Sequence, residues 1–380
     1  MISDLLKCCH VSHVFYPYGG DPFGLRELTR ILRGLGNDVS VVSWAVGKNS
    51  SVAEYLDGNT VIRLRGINAR IFPTIVEYPY LIGLKDAISQ IQPEVVNCQS
   101  HLFLPTLQAI EACRSLRIPM IVTVRGLFAK RGMVTNLSQW AYLLSICRSF
   151  LKRVDCIVCL TDYERKLVRS FGIHNRIEVI PNGVDLNLFH PATKKEANTI
   201  SWVGRMVPEK GLEHLLMAMQ HVIREVRDAR LLLVGDGPMM PKLRNLASEL
   251  GVDQNCVFLG NKSRVEVAQI LSRSTVFAFP SLREGFPKAI LEAMACGNVV
   301  VSSNLPQISE IIEAAQDGYF VDPSDHLQFA SSIIACLQDT DFARRCESTM
   351  RRIAEERFNV EKIARKYEEL YMNIATSHRN

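Results

Sequence analysis

What this chain of 380 residues lacks narrows its function first. There is no G-x-G-x-x-G, the fingerprint that lays a dinucleotide on a helix start, so a nicotinamide dehydrogenase is disfavoured. Gly235-Asp236-Gly237-Pro238 has no G-K-[ST] ending and reads as turn chemistry, not as a P-loop. No apolar run approaches the length that spans a bilayer. The start, Met1-Ile2-Ser3-Asp4, lacks the shape of a secretory signal. No Cys/His cluster has zinc spacing, so no metal and no resident cofactor is expected. The 11 cysteines are scattered through apolar runs. An odd, dispersed set of that kind suggests reduced, buried thiols in a cytosolic protein. Cys156 and Cys159 form a C-x-x-C on a predicted strand, where residues three apart face opposite ways, so they are not a redox or metal pair. Internal repeats and low-complexity segments are absent.

Enough apolar sequence is present for two cores. Hydrophobic residues make up 47% of the chain, and this length favours two domains. The net charge is only +5, but residues 1–190 hold about 21 Lys/Arg against about 15 Asp/Glu. A basic first half suits an anionic acceptor or a phospholipid surface, and equally an ordinary solvated face. No nucleic-acid partner is expected.

Strand and helix signals alternate along the chain. Residues 8–15 read as a buried strand. The turn Tyr16-Pro17-Tyr18-Gly19-Gly20 leads to a helix over 25–35 and a strand over 39–43, a βαβ unit of doubly wound type. Strands at 61–64, 94–98, 119–125 and 155–160 follow, with helices at 85–91, 105–116 and 162–170. Ligands gather at the ends of such strands, which draws attention to Gln99, Ser100, His101 and Arg125. Residues 137–153 read as an amphipathic helix, either on a membrane surface or covering a sheet with Arg148, Lys152 and Arg153 at its negative end. Pro181-Asn182-Gly183 marks a boundary.

The second half repeats the pattern, with strands at 199–203, 230–234, 257–260, 276–279, 299–302 and 318–321. After the first of these, Gly204-Arg205-Met206-Val207-Pro208-Glu209-Lys210-Gly211 places a guanidinium and an ammonium on a glycine turn, a combination that suits a polyanion. Residues 276–297 carry the most information. Val276–Phe279 is strand-like, Pro280-Ser281 ends it, and a loop holds Arg283, Glu284 and Gly285. Pro287 suits the first position of a helix, which runs to Cys296 and stops at Gly297. Free N–H groups over Gly285, Phe286, Pro287, Lys288 and Ala289 would attract a phosphate, apart from the proline's missing donor. Glu284 is better suited to accept hydrogen bonds from sugar hydroxyls, and Glu292 to hold a ribose.

This string resembles the E-G-F-x-x-x-x-x-E-A-M-A-x-G signature of retaining nucleotide-sugar glycosyltransferases of the GT-B type, family four. The G-R-x-x-x-E-K-G element at Gly204–Gly211 and the I-P-N-G-V-D linker at 180–185 are similar to the same family. The resemblance covers nearly the whole chain. It implies an α/β fold of two Rossmann-like, doubly wound domains facing a cleft. Residues 1–180 would form the acceptor domain, with a C-terminal helix at about 360–376 crossing back onto it, and 181–359 the donor domain.

The resemblance also implies roles. A nucleotide diphosphate sugar would be held by Gly19, Gly20, Gly204, Arg205, Lys210, Leu259, Glu284, Gly285, Phe286, Pro287, Lys288, Ala289 and Glu292. Arg205, Lys210, Glu284 and Arg125 are the catalytic candidates, and His101 and Arg125 lie on the acceptor side. Relatives often carry His at the positions of Asn97, Gln99 and Arg125, and an arginine cannot act as a base because it stays protonated. The expected activity is metal-independent sugar transfer to a glycan or lipid-linked hydroxyl in glycan, glycolipid or polysaccharide synthesis. The expected location is the cytoplasm, with peripheral contact at the inner membrane face through the basic half. A sugar-nucleotide epimerase of similar fold and a degenerate sugar-nucleotide binder are the alternatives.

Overall fold

A computed structural model describes residues 5–15, 24–46, 50–68, 79–100, 104–125, 141, 143–312, 318–322 and 324–379. The chain divides into two compact units, one of Met1–Asn182 with Val360–Asn380 and one of Gly183–Asn359.

The strands of unit 1 are β1 (Lys7–Val11), β2 (Asp38–Trp44), β3 (Val52–Leu56), β4 (Asn59–Leu64), β5 (Gly66–Asn68), β6 (Pro79–Leu81), β7 (Val95–Gln99), β8 (Met120–Thr123), β9 (Cys156–Cys159) and β10 (Arg176–Val179). Eight of them make one sheet in the order β10-β9-β8-β7-β1-β2-β4-β3, while β5 and β6 pair separately. Only the β3–β4 pair in the large sheet is antiparallel. The helices are α1 (Leu25–Gly34), α2 (Leu84–Ile91), α3 (Leu104–Leu116), α4 (Arg148–Leu151) and α5 (Asp162–Ser170). The central strands are apolar on both faces because helices cover both faces. Val11, Val42, Val96, Val122 and Cys159 join one apolar layer with α2 and α3. Cys8, Val39, Val95, Ile121 and Cys156 join the other, with α1 and the helix that begins at Val360. Cys156 and Cys159 thus point to opposite layers, and all 11 cysteines are buried thiols outside any disulfide.

Two expectations are corrected in this unit. β1 stops at Val11 instead of continuing to residue 15. Ser12 Oγ donates to the Val14 carbonyl at 2.7 Å, and such a local bond draws the backbone away from the ladder. Residues 137–140 and 142, the start of the predicted long helix, lie outside the described residues. The described remainder is a π-helical run, Leu143–Cys147, followed by α4. Ser145 Oγ donates to the Ala141 carbonyl, a side-chain bond that competes with the helical ladder. Lys152 and Arg153 lie beyond the last helical residue, and Arg153 Nη1 turns to Glu111 at 2.6 Å.

Unit 2 holds β11 (Thr199–Val203), β12 (Arg230–Val234), β13 (Cys256–Gly260), β14 (Val276–Phe279), β15 (Val299–Ser303) and β16 (Tyr319–Val321). All are parallel, in the order β13-β12-β11-β14-β15-β16. Its helices are α6 (Leu212–Glu225), α7 (Met240–Glu249), α8 (Arg264–Arg273), α9 (Lys288–Ala295), α10 (Pro306–Ile312), α11 (His326–Gln338) and α12 (Thr340–Arg357). The chain winds outward from β11 to β13, returns to β14 beside β11, and winds outward again. That reversal is the topological switch point of a doubly wound sheet, where the ends of two neighbouring strands diverge and leave a crevice. The final helix, α13 (Val360–Arg379), belongs to unit 1. Among the described residues no helix is long and apolar enough to cross a membrane.

Candidate active site

The crevice between β11 and β14 gathers the charged motif residues of the second half. β11 ends at Val203, and a turn from Gly204 runs into a 3-10 helix, Pro208–Lys210. Gly211 then turns left-handed, with φ at 62°, and starts α6. A side chain at Gly211 would run into the Pro280 carbonyl oxygen, so only glycine lets the two loops approach this closely. Leu282 N donates to the Glu209 carbonyl at 2.8 Å and stitches them together.

With the loops joined, Lys210 Nζ lies 2.5 Å from Glu284 Oε1. The pair joins residues 74 positions apart, and the Glu284 side chain is only 9% exposed. Lys210 also sits over the Phe279 ring, 5.4 Å from its centroid, where the electron-rich face favours a cation. Arg205 is exposed and forms no ion pair among the described residues. Its turn is held from the other side by Gly235-Asp236-Gly237. Met206 N donates to the Asp236 carbonyl at 2.8 Å, and Met239 N to the Met206 carbonyl at 3.0 Å. Gly235 and Gly237 have positive φ and lie against the Gly204 and Met206 carbonyls, where a side chain would collide. The G-D-G-P segment, read from sequence only as a turn, therefore positions the Arg205 turn.

α9 begins at Lys288, with Pro287 as its extended N-cap. The proline thus stands one position earlier than expected, outside the helix. Its ψ of 102° is extended, a conformation incompatible with helical geometry. Lys288 and Ala289 are half-buried at the helix start, and Glu292 is half-buried on its next turn. Leu259 lines a different cavity of about 360 Å³ with Leu232, Lys262, Glu266 and Ile270. It lies on β13, two strands away from β11.

A second set of residues stands at the corresponding reversal in unit 1, between β1 and β7. Arg125 donates from Nε and Nη2 to Gln99 Oε1, at 2.9 and 2.6 Å, and from Nη1 to Asn182 Oδ1 at 2.8 Å. Gln99 Nε2 lies 3.4 Å from His10 Nδ1. Because the amide oxygen accepts from Arg125, its NH₂ is the group that faces His10, so Nδ1 accepts. Burial, helped by the Arg125 charge, pushes His10 down to about 3, and burial pushes His13 down to about 4. Both are neutral near pH 7. Asn97 Nδ2 donates to Tyr371 Oη at 2.6 Å, and Thr123 Oγ1 donates to Asn97 Oδ1 at 3.0 Å. Ser100, just past β7, holds a φ of 109°, a strained value of the kind that collects at functional sites. Gly19, Gly20 and His101 lie outside the described residues.

Known proteins with this architecture define the class first. A sucrose-phosphate synthase from Thermosynechococcus elongatus superposes with a TM-score of 0.79 at 20% identity, covering 98% of this chain and 100% of the other. Anabaena Alr3699/HepE, solved with UDP-glucose, superposes at 0.76 with 18% identity over 97% and 100%. At these identities the likeness is one of fold, the GT-B glycosyltransferase fold. Sequence comparison then gives the family. The Glycosyltransferase Family 4 profile matches residues 18–188, and Glycosyl transferases group 1 matches 185–353. The chain belongs to the group 1 glycosyltransferases. A curated relative, UDP-Gal:alpha-D-GlcNAc-diphosphoundecaprenol alpha-1,3-galactosyltransferase of Escherichia coli, is 24% identical over 98% of each chain.

Proposed function

We propose that this glycosyltransferase takes a sugar from a nucleoside diphosphate sugar and passes it, with retention of anomeric configuration, to an acceptor hydroxyl of a glycan or lipid-linked saccharide. The observation that carries the proposal is the Lys210–Glu284 pair at the unit 2 switch point, 2.5 Å apart. Glu284 holds the ammonium in place before any ligand arrives, and a charge fixed in advance stabilises a leaving group without reorganisation. Among the described residues Glu284 Oε2 has no hydrogen-bond partner and would accept from sugar hydroxyls. Arg205 would fork onto phosphate oxygens, and the start of α9 would face the same anion. Glu292 would hold the ribose.

In the reaction, the bond from the anomeric carbon to the phosphate oxygen breaks as the bond to the acceptor oxygen forms on the same face. The acceptor's proton passes to the leaving phosphate, so no protein base is needed. Arg205 and Lys210 supply the positive charge that a divalent ion supplies elsewhere. The E. coli relative is named for a UDP-Gal donor and a diphosphoundecaprenol acceptor, which supports donors and acceptors of those classes. The first half's basic excess supports peripheral contact with an anionic membrane surface, at the cytoplasmic face.

The test is product analysis by NMR after incubation with a nucleotide sugar and an acceptor, with and without EDTA. A product that keeps the donor's anomeric configuration, formed equally in chelator, is expected. An inverted product contradicts retention, and activity lost to EDTA and restored by Mg²⁺ or Mn²⁺ contradicts metal independence.

A further inference from the structure

The loop after β14 carries two buried polar atoms without partners, Ser281 Oγ and Arg283 Nη1. The loop itself is firmly held. Pro280 lies against Gly211, Leu282 N bonds the Glu209 carbonyl, and Glu284 is tied to Lys210. A guanidinium nitrogen removed from water with no acceptor is a costly feature that native proteins rarely keep. The neighbouring carboxylate turns to Lys210 instead, through Glu284 Oε1, and leaves Arg283 Nη1 without an acceptor.

We infer that Arg283 is a further ligand-binding residue, a third cationic contact to the diphosphate of the donor. The inference rests on the donor reading given above. The loops around the switch point carry four cations, Arg205, Lys210, Arg283 and Lys288, among the carboxylates Glu209, Asp236, Glu284 and Glu292. Of these cations Arg283 is the one with a buried donor left without an acceptor. An arginine's planar fork gains most from phosphate oxygens, to which it can donate twice. A nucleoside diphosphate that carries a neutral sugar has no other anion to offer. Arg283 therefore carries a cost in the free protein that ligand binding removes, the reverse of an arginine that braces the fold.

Thermal shift and calorimetric titration with UDP, GDP and ADP, each beside its nucleoside, test this on the native protein, Arg283→Met and Arg283→Lys. Arg283→Met should be as stable as the native protein or more so without ligand. It should bind the effective diphosphate about 10- to 100-fold more weakly, the range for one charged hydrogen bond, with nucleoside binding unchanged. Arg283→Lys should recover part of the loss. A Met variant that binds the diphosphate as the native protein does overturns the assignment alone. So does one that melts well below it without ligand, since that marks a structural arginine. A native protein that binds none of the three diphosphates overturns the donor reading and this inference together.

Discussion

Asn97 and Tyr371, 274 positions apart, meet in a 2.6 Å hydrogen bond inside unit 1. The bond ties β7 to α13, and both residues are fully buried, beside His10, whose ring centroid is 5.8 Å from that of Tyr371. Thr123 completes Asn97 from the other side. The position is thus built into a packed polar network.

Tyr371→Phe should expose the value of that bond, because it leaves the Asn97 amide buried with one donor unmet. A loss of about 1–3 kcal/mol is expected, read as a lower urea midpoint. Tyr80→Phe, at a half-exposed tyrosine, should move the midpoint little and serves as the control.

Arg205→Ala and Lys210→Ala should each keep the fold and lower turnover by about 2–4 kcal/mol of barrier, the range for removing one preorganised donor. Steady-state kinetics on the purified variants measure this. A near-normal kcat/KM in either variant contradicts its role.

Gly211→Ala should damage activity through the backbone. The residue sits at φ 62°, and its new methyl would collide with the Pro280 carbonyl. Strain of this kind costs on the order of 1–3 kcal/mol, and the loop that carries Glu284 must shift to relieve it. A fall in both Tm and kcat is expected, against Gly251→Ala, where nothing lies within 4 Å, as the control for left-handed strain alone.

The buried histidines set a pH dependence. His10 falls to about 3 and His13 to about 4 when folded, against about 6.5 unfolded. The unfolded chain binds protons first as pH falls, so their stabilising contribution is complete above about 6.5 and is lost progressively below it, with a limiting slope of about 1.4 kcal/mol per unit for each group. Urea unfolding at pH 7.5 and 4.5 should show a smaller difference for His10→Gln than for the native protein. Equal differences contradict a neutral His10.

Much of this architecture was legible because period and punctuation agree. β11, β12 and β14 fall where their apolar runs stand, at Thr199–Val203, Arg230–Val234 and Val276–Phe279. The start of α8 is spelled by Ser263 and Glu266, a capping box that the structure completes in both directions. The β3–β4 hairpin likewise has a local signal, the Asp57-Gly58 turn between the two strands. Other features had no local signal. The bonds from Arg125 to Gln99 and Asn182 join residues 26 and 57 positions away, and such pairing appears only once the strands are side by side. Motif spacing brought Lys210 and Glu284 to notice separately, but their direct ion pair depends on the Gly211–Pro280 approach, which is a property of packing.

Donor binding is the measurement that bears most directly on the central claim. UDP-, GDP-, ADP- and TDP-sugars should be titrated against the native protein and Lys210→Ala in thermal shift, at concentrations far above ordinary dissociation constants. The account predicts that one nucleotide family raises the native Tm and that Lys210→Ala loses most of the rise. No shift of the native protein with any donor, or an equal shift in the variant, would contradict it.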